Sequence, residues 1–466
     1  AGLFLAAAPL VFHALAPVFP VAVESASLAG FLGRLALFTL AVFGPAVLVA
    51  GLWFPLLASA SAAGLAEARL RWGWLLAANG VGGLIGAEAA YGLVLPWLGP
   101  FGGLGLSGFF YVLAAWVLRP AGAGAWWAGG ALAGVVCLMV WVLPGLPVVH
   151  RAFAPAVVAQ WHGREGSLVV LEQEGTGRSL LVQNQYFLGS SGAAAAQERQ
   201  AHVPLLLHPE PRRVAFLGMA TGITPGGALR HGAVEELVAV EISGTVVQAA
   251  GAWFGPYNRG LMEDARARVV VEDARTWLAA HDGEFDAVVS DLFLPWGPGE
   301  GRLYSLEHFH AARRALREGG LFCLWLPVYQ LTQEQFMVIL GTFLEVFPRA
   351  ELFRRDADDA MPVVGLVGWR GGGLDWEVAA GQQAEMAAAG EEPLLGSVAA
   401  LRDRYLGGVE RGAVQAPVNT LGNLWIEWQA GRMRALQPET APYLSGVRGA
   451  AWLRALAEEL SAEAAR

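Results

Sequence analysis

Four short apolar runs after residue 210 each end in glycines or carboxylates. Gly218-Met-Ala-Thr-Gly222 follows the run 214–217, Glu241 closes 237–241, Glu272-Asp273-Ala274 closes 269–272, and Asp291 follows 285–290. A glycine turn that opens a helix lets a ligand approach the backbone closely. Glu241, 23 residues after Gly218, is placed to accept hydrogen bonds from both hydroxyls of a ribose. Asp273 suits an adenine amino group, and Asp291 is a candidate proton acceptor. After Asp291, the stretch Leu292-Phe-Leu-Pro-Trp-Gly-Pro-Gly-Glu300 reads as a loop able to close over a substrate. Each residue also has a plainer reading. Gly218 and Gly222 could serve tight packing, Glu241 could be solvated or cap a helix, Asp273 could cap the helix starting at Ala274, and Asp291 could form a turn beside Pro295. In this order, at strand ends, they point together to an adenosine-type cofactor site. The turn lacks the full G-x-G-x-x-G, which counts against a dinucleotide.

The elements that must position these residues alternate. Apolar runs at 214–218, 237–241, 269–272, 285–290 and 321–326 are separated by helical stretches such as 245–253, 274–281 and 305–317. That alternation predicts a parallel sheet covered on both faces, with ligands at the carboxyl ends of its strands. Before it, 157–188 alternates in polarity about the turn Glu174-Gly-Thr-Gly177, as a small antiparallel β unit does. Further on, 352–369 reads as strands closing the sheet, 371–373 as a linker, 378–393 as an amphipathic helix and 453–465 as a terminal helix.

Composition separates this part from what precedes it. The chain is 55% hydrophobic and 15% charged, with a net charge of −9. Before His150 the charged residues are Glu24, Arg34, Glu67, Arg69, Arg71, Glu88 and Arg119, so the net negative charge lies in the remainder. An acidic soluble part argues against nucleic acid and is compatible with a small cationic substrate. Apolar stretches at 1–21, 35–57, 74–98, 101–118 and 125–149 each approach the roughly 20 residues that cross a bilayer. The chain begins at Ala1, and its opening run reads as a truncated helix rather than a signal peptide. The third stretch is crowded with small residues, Asn79-Gly-Val-Gly-Gly-Leu-Ile-Gly-Ala87, a face suited to helix packing in lipid. Glu88 lies within it; pairing inside the helix bundle and a substrate or proton role both remain open. A tally of Arg69, Arg71 and Arg119 would place the soluble part outside. The cofactor chemistry places it in the cytoplasm, and that orientation at the inner membrane is the expectation. Cys137 and Cys323 fall in different parts of the chain, which disfavours a disulfide framework or a cysteine metal site. The chain has no lysine, which excludes Schiff-base and lysine-base mechanisms.

These residues resemble the spermidine synthase (polyamine aminopropyltransferase) family, in particular its membrane-integrated members fused to a transporter-like domain. The likeness is carried by Gln197-Glu-Arg-Gln-Ala-His-Val-Pro-Leu-Leu-Leu-His-Pro, the Gly218–Gly222 turn, Val240-Glu-Ile242, Glu272-Asp-Ala274, Ser290-Asp291 and Gly297-Pro-Gly-Glu300. It covers roughly 157–348, and it extends more loosely to 75–100 and to Pro417-Val-Asn-Thr420. Together with the apolar stretches and the strand–helix pattern read above, the resemblance divides the chain into a multi-pass helical membrane domain (1–150), a small β subdomain (151–205), a Rossmann-like catalytic domain (206–370) and a C-terminal helical extension (371–466). It implies aminopropyl transfer from decarboxylated S-adenosylmethionine to a diamine such as putrescine, releasing 5′-methylthioadenosine without a metal, and it leaves room for a homodimer. By the same resemblance Asp291 is the catalytic base. Gly218, Thr221, Gly222, Glu241, Ile242, Asp273 and Ala274 form the cofactor cradle. Gln197 stands where a substrate-contacting histidine is usual, and Glu300 lies in the closing loop. Tyr329 and Gln330 are candidate substrate contacts, with Tyr329 also readable as a packed ring.

The departures concern specificity. Thr221 replaces a family aspartate that salt-bridges the aminopropyl amine, Leu294 replaces a second aspartate in the loop, and Ala196 replaces a tyrosine. Two alternatives therefore stand beside aminopropyl transfer. One is methyl or aminocarboxypropyl transfer from intact S-adenosylmethionine to a membrane-delivered acceptor. The other is a transporter or sensor whose domain binds a nucleoside or polyamine without turnover.

Overall fold

The computed structural model describes residues 2–15, 28–52, 65–117, 130, 134, 136–137, 142–143, 149, 156–163, 166–175, 177–183, 186–390, 397–434 and 442–464. The chain forms two compact units. The first comprises Ala1–Val23, Ala29–Leu171 and Leu181–Tyr186, and the second Glu24–Leu28, Glu172–Leu180 and Phe187–Arg466. The unit boundary falls inside the small β unit rather than at residue 150.

In the first unit, helices occupy Gly2–Leu15, Leu28–Gly51, Leu65–Ala89 and Leu95–Val117, with a π-helical turn at Ala90–Val94. The break expected between 74–98 and 101–118 occurs at Gly99, whose φ of 65° and ψ of 178° precede Pro100. Glycine tolerates the positive φ, and the proline cannot donate to the preceding turn. Close packing of Gly2–Leu15 on Leu95–Val117 uses small residues: a Cβ on Gly108 would meet the Ala6 Cβ at 3.2 Å. Two stretches, Ala29–Gly51 and Trp72–Val117, the latter bent at Gly99, are long and apolar enough to cross a membrane, whereas Gly2–Leu15 is shorter. Among the described residues, the five separate spans expected from sequence thus reduce to two candidates. The stretch at 125–149 lies almost wholly outside them.

The small β unit is four-stranded, in the order β1 (Val157–Gly163), β2 (Gly166–Gln173), β3 (Gly177–Val182), β4 (Tyr186–Ser190). The β1–β2 pair is antiparallel, as its alternating sequence requires.

The second unit is built on an eight-stranded sheet. Its strands are β5 (Arg213–Leu217), β6 (Glu236–Glu241), β7 (Ala267–Val271), β8 (Phe285–Ser290), β9 (Leu316–Pro327), β10 (Arg349–Arg354), β11 (Val363–Trp369) and β12 (Tyr405–Glu410), in the spatial order 12-10-11-9-8-5-6-7. Strands β5 to β9 pair in parallel, and β10, β11 and β12 add an antiparallel edge. Strands buried on both faces read as unbroken apolar runs. In β5, Ala215 and Leu217 join one core with Val240, Phe285, Phe309 and Phe322. Val214 and Phe216 join the opposite core with Leu237, Val289, Cys323 and Trp325. Truncating the fully buried Phe322 to alanine would cost about 3–5 kcal/mol.

Side-chain caps start the connecting helices: the Ser243 and Ser305 hydroxyls accept from the N–H groups of Val246 and His308. The chain winds from β5 through β6 to β7 in one direction and returns to place β8 on the other side of β5. The β5/β8 boundary is therefore the topological switch point, where open α/β sheets bind ligands. The tail 371–466 is not helical throughout, although helices do occupy Trp376–Ala388 and Gly446–Ala464. It also supplies the edge strand β12 and the helix Trp425–Arg434, and so completes the catalytic sheet. The alternating Tyr405–Glu410 run is short and rich in glycine, which left its strand signal weak.

Candidate active site

Register alone brings the sequence candidates to one rim. Leu217 pairs with both Val240 and Ser290, and Glu241 pairs with Val271. The residues that follow these strand ends are Gly218, Asp291, Glu272 and Asp273, and they stand side by side with Glu241.

At Gly218 the φ is +85°, and a Cβ would lie 3.2 Å from the Phe293 ring and 3.6 Å from the Asp291 Cβ. The turn is thus glycine both for its conformation and for the approach of the loop after β8. Ala220 is also left-handed, with φ 49°, and Gly222 (φ 79°) leads into the short helix Ile223–Ala228. The Asn258 amide donates to the Thr221 carbonyl and helps hold this turn. The buried Glu241 carboxylate holds it from below: Oε2 accepts from the N–H groups of Met219 and Ala220, and Oε1 from that of Ser243, each at 3.1 Å. Burial raises the pKa of Glu241 despite these bonds. The Ile242 N–H bonds to it as well, so protein donors already take the roughly four acceptor sites of the carboxylate. Next to it, Ile242 is 59% exposed, an apolar side chain at the mouth of the rim.

Asp273 does cap the helix Ala274–Ala279. Its Oδ1 accepts from the Arg275 N–H at 2.8 Å and its Oδ2 from the Arg275 guanidinium at 3.1 Å. Burial pushes its pKa up, but these bonds outweigh it and hold the carboxylate below its ordinary range. The capping reading is therefore realised, at the same rim position from which an adenine contact would be made.

Asp291 is enclosed by polar groups. Its Oδ1 accepts from Gln200 Nε2 at 2.5 Å and from the Leu292 N–H at 2.7 Å. Burial raises its pKa; bonds from Leu292, Gln200 and Thr224 and the positive charge of Arg355 moderate the rise. A carboxylate raised in this way is a better proton acceptor than one in water. Gln197 points to the neighbouring turn: its Oε1 accepts from the Thr221 hydroxyl at 2.9 Å, and its Nε2 donates to the Ser190 carbonyl at 2.8 Å. Gly189 leaves the room for this pair, because a Cβ there would meet Thr221 at 3.0 Å.

The loop after Asp291 folds back on itself. The Glu300 Oε2 accepts from the Leu294 N–H, and the Tyr304 hydroxyl donates to the Phe293 carbonyl at 2.7 Å. Burial pushes the Glu300 pKa up to about 7; the bond from Leu294 opposes the rise, and Glu241 and Glu427 add to it. Gln330 accepts from the Trp296 indole N–H at 2.9 Å and thereby supports the loop. Tyr329 packs against the apolar core, which matches its reading as a packed ring.

The structure thus gathers Gly218, Thr221, Gly222, Glu241, Asp273 and Asp291 with Gln197 and Glu300, and it sets Tyr329 and Gln330 behind the loop. Gln200, Thr224, Arg355, Asn419 and Glu427 were missed. Gln200 left a trace, lying three residues after Gln197 on one helix face. Thr224 lies two residues past the glycine turn, whereas Arg355, Asn419 and Glu427 reach the site only through long-range packing.

Comparison with known proteins follows the same stretch. The spermine/spermidine synthase domain family matches residues 193–354. Polyamine aminopropyltransferase 1 of Hyperthermus butylicus is 31% identical over 214 residues, 45% of this chain and 73% of its own length. The polyamine aminopropyltransferase of Aeropyrum pernix is 31% identical over 42% of this chain and 63% of its own. A crystal structure of spermidine synthase in complex with the transition-state analogue AdoDATO aligns over 47% of this chain and 75% of its own, with 22% identity and a TM-score of 0.43.

Proposed function

The chain belongs to the polyamine aminopropyltransferase family and is a transferase, and on that premise we propose that it moves an aminopropyl group from decarboxylated S-adenosylmethionine to a diamine such as putrescine. The observation that carries this reading is the Asp291 carboxylate, seated at the switch point beside Gly218 and oriented by Gln200. Support for an adenosyl group comes from the Gly218–Gly222 turn with the Glu241 carboxylate beneath it and from Ile242, which offers an apolar surface beside them. Asp291 takes a proton from the substrate ammonium. The freed amine nitrogen then attacks the methylene carbon next to the sulfonium. A C–N bond forms, the C–S bond breaks, and its electron pair leaves on the sulfur of 5′-methylthioadenosine. Holding both reactants along one line supplies much of the rate advantage, and the base supplies the rest.

A second reading is favoured by Thr221. This buried neutral side chain is bonded to Gln197 and stands where the resemblance expects an aspartate. It tolerates the carboxylate of intact S-adenosylmethionine better than an aspartate would. Incubation with each cofactor plus putrescine, followed by mass detection of the nucleoside product, separates the two. Methylthioadenosine from the decarboxylated form, absent in Asp291→Asn, supports aminopropyl transfer. S-adenosylhomocysteine from the intact form would replace it with methyl transfer, and binding without turnover would leave a sensor.

The first unit extends the proposal to a bilayer anchor at the inner membrane, with the catalytic unit on the cytoplasmic side. In support, Trp74, Leu84 and Trp97 on the longest apolar stretch are 71%, 69% and 81% exposed. Side chains of this size cover themselves with lipid or protein. Extraction from membranes by detergent but not by alkaline carbonate tests the anchor.

A further inference from the structure

The loop that follows Asp291 owes part of its shape to a segment far along the chain, beyond the matched family domain. Gly299 donates its N–H to Glu427 Oε1 at 3.0 Å. Asn419 donates through Nδ2 to the carbonyls of Gly301 and Tyr304 at 3.1 and 3.0 Å, and its own carbonyl accepts from the Leu306 N–H at 2.9 Å. The Leu421 N–H donates to Glu307 at 3.0 Å. The grip is itself anchored: Asn419 is fully buried, its N–H donates to the Thr342 hydroxyl, and its Oδ1 accepts from the Ile426 N–H. Contact is close as well, since a Cβ on Gly301 would stand 2.9 Å from the Glu427 backbone nitrogen.

A loop of this composition, with two glycines and two prolines between Asp291 and Gly301, has little order of its own. Its backbone donors need partners to hold one conformation, and a charged acceptor gives the stronger bond. Glu427 is the one such acceptor that the 419–427 segment presents to the loop among the described hydrogen bonds. We propose that Glu427 is a positioning residue, with Asn419 as its anchor, and that the 419–427 segment holds the 291–304 loop in the conformation that receives the amine. The role in turnover rests on the transferase reading above. The clamp itself does not.

Hydrogen exchange and steady-state kinetics on the full chain, with Glu427→Ala and Glu427→Gln, test it. The glutamine keeps an acceptor oxygen and removes the charge; the alanine removes both. Glu427→Ala is expected to speed exchange at 292–304 selectively. It should raise the KM for the amine about tenfold, the scale of one lost charge-assisted hydrogen bond, with kcat and nucleoside affinity near wild type. Glu427→Gln restores slow exchange and most of the KM. Unchanged exchange at 292–304 in the alanine variant overturns the clamp, as does a rise spread evenly over the catalytic unit, which marks a merely structural role. Failure of the glutamine rescue overturns the acceptor argument. If no aminopropyl transfer is detected in the wild type, the exchange arm still decides the clamp while the functional reading falls separately.

Discussion

Glycines do opposite work in the two units. On the catalytic rim they are hemmed in: a Cβ at Gly218 meets Phe293, and one at Gly226 collides with the Asn258 backbone. Along the helix Leu65–Ala89, a Cβ at Gly80, Gly82, Gly83 or Gly86 meets nothing within 4 Å. The first set lets the turn approach the loop after β8 and the Asn258 backbone closely. The second lies on a helix whose large apolar side chains, such as Trp74 and Leu84, are also uncovered. One residue type therefore marks a built site in one place and an unoccupied surface in the other.

The sharpest test of the rim is its base. Asp291→Asn should lower kcat by a hundredfold or more, about the scale of lost general-base catalysis, with an unchanged circular dichroism spectrum; retention of turnover would end the assignment. The glycine contrast comes next. Gly218→Ala forces a left-handed alanine against Phe293, and strain of about 1–3 kcal/mol should weaken nucleoside binding by roughly tenfold or more in calorimetry. Gly83→Ala should leave turnover in detergent unchanged, because helix propensity favours alanine by roughly 1 kcal/mol. Equal damage from both substitutions would break the comparison. Gln200→Leu removes the donor that orients Asp291 and should lower kcat/KM by about tenfold, within the range for a hydrogen bond to a charged group.

The smallest effect is a pH slope. With the Glu300 pKa raised to about 7 from 4.5, the folded protein binds its proton more tightly than the unfolded chain does. The stability this contributes is complete below pH 4.5 and is lost as pH rises through about 7. Melting temperature should therefore fall across that window and fall less steeply in Glu300→Gln. Equal slopes would mean that Glu300 is not buried in the folded protein as described.

The rim was legible because each candidate sits within a residue or two of a strand end. Local pattern sets strand ends, and parallel pairing in register aligns them, so Glu241, Asp273 and Asp291 converge without any long-range information. Gln200 was half legible, since helical spacing puts it on the face of Gln197. Asn419 and Glu427 were not: they lie more than a hundred residues from the loop they hold, and no local periodicity encodes that distance. The same limit hid β12, whose glycine-rich run becomes a strand only because β10 offers it an edge.

Composition and local spacing by themselves determined an apolar first third, an acidic α/β remainder and the kind of group the strand ends would hold. Only the tertiary structure decided how the rim carboxylates are enclosed. Burial raised the Asp291 and Glu300 carboxyls, and a distant segment bonded to the loop after Asp291. The reason is physical: hydrogen-bond register acts over neighbouring residues, while desolvation and charge coupling depend on everything within a few ångströms, wherever it lies in the chain.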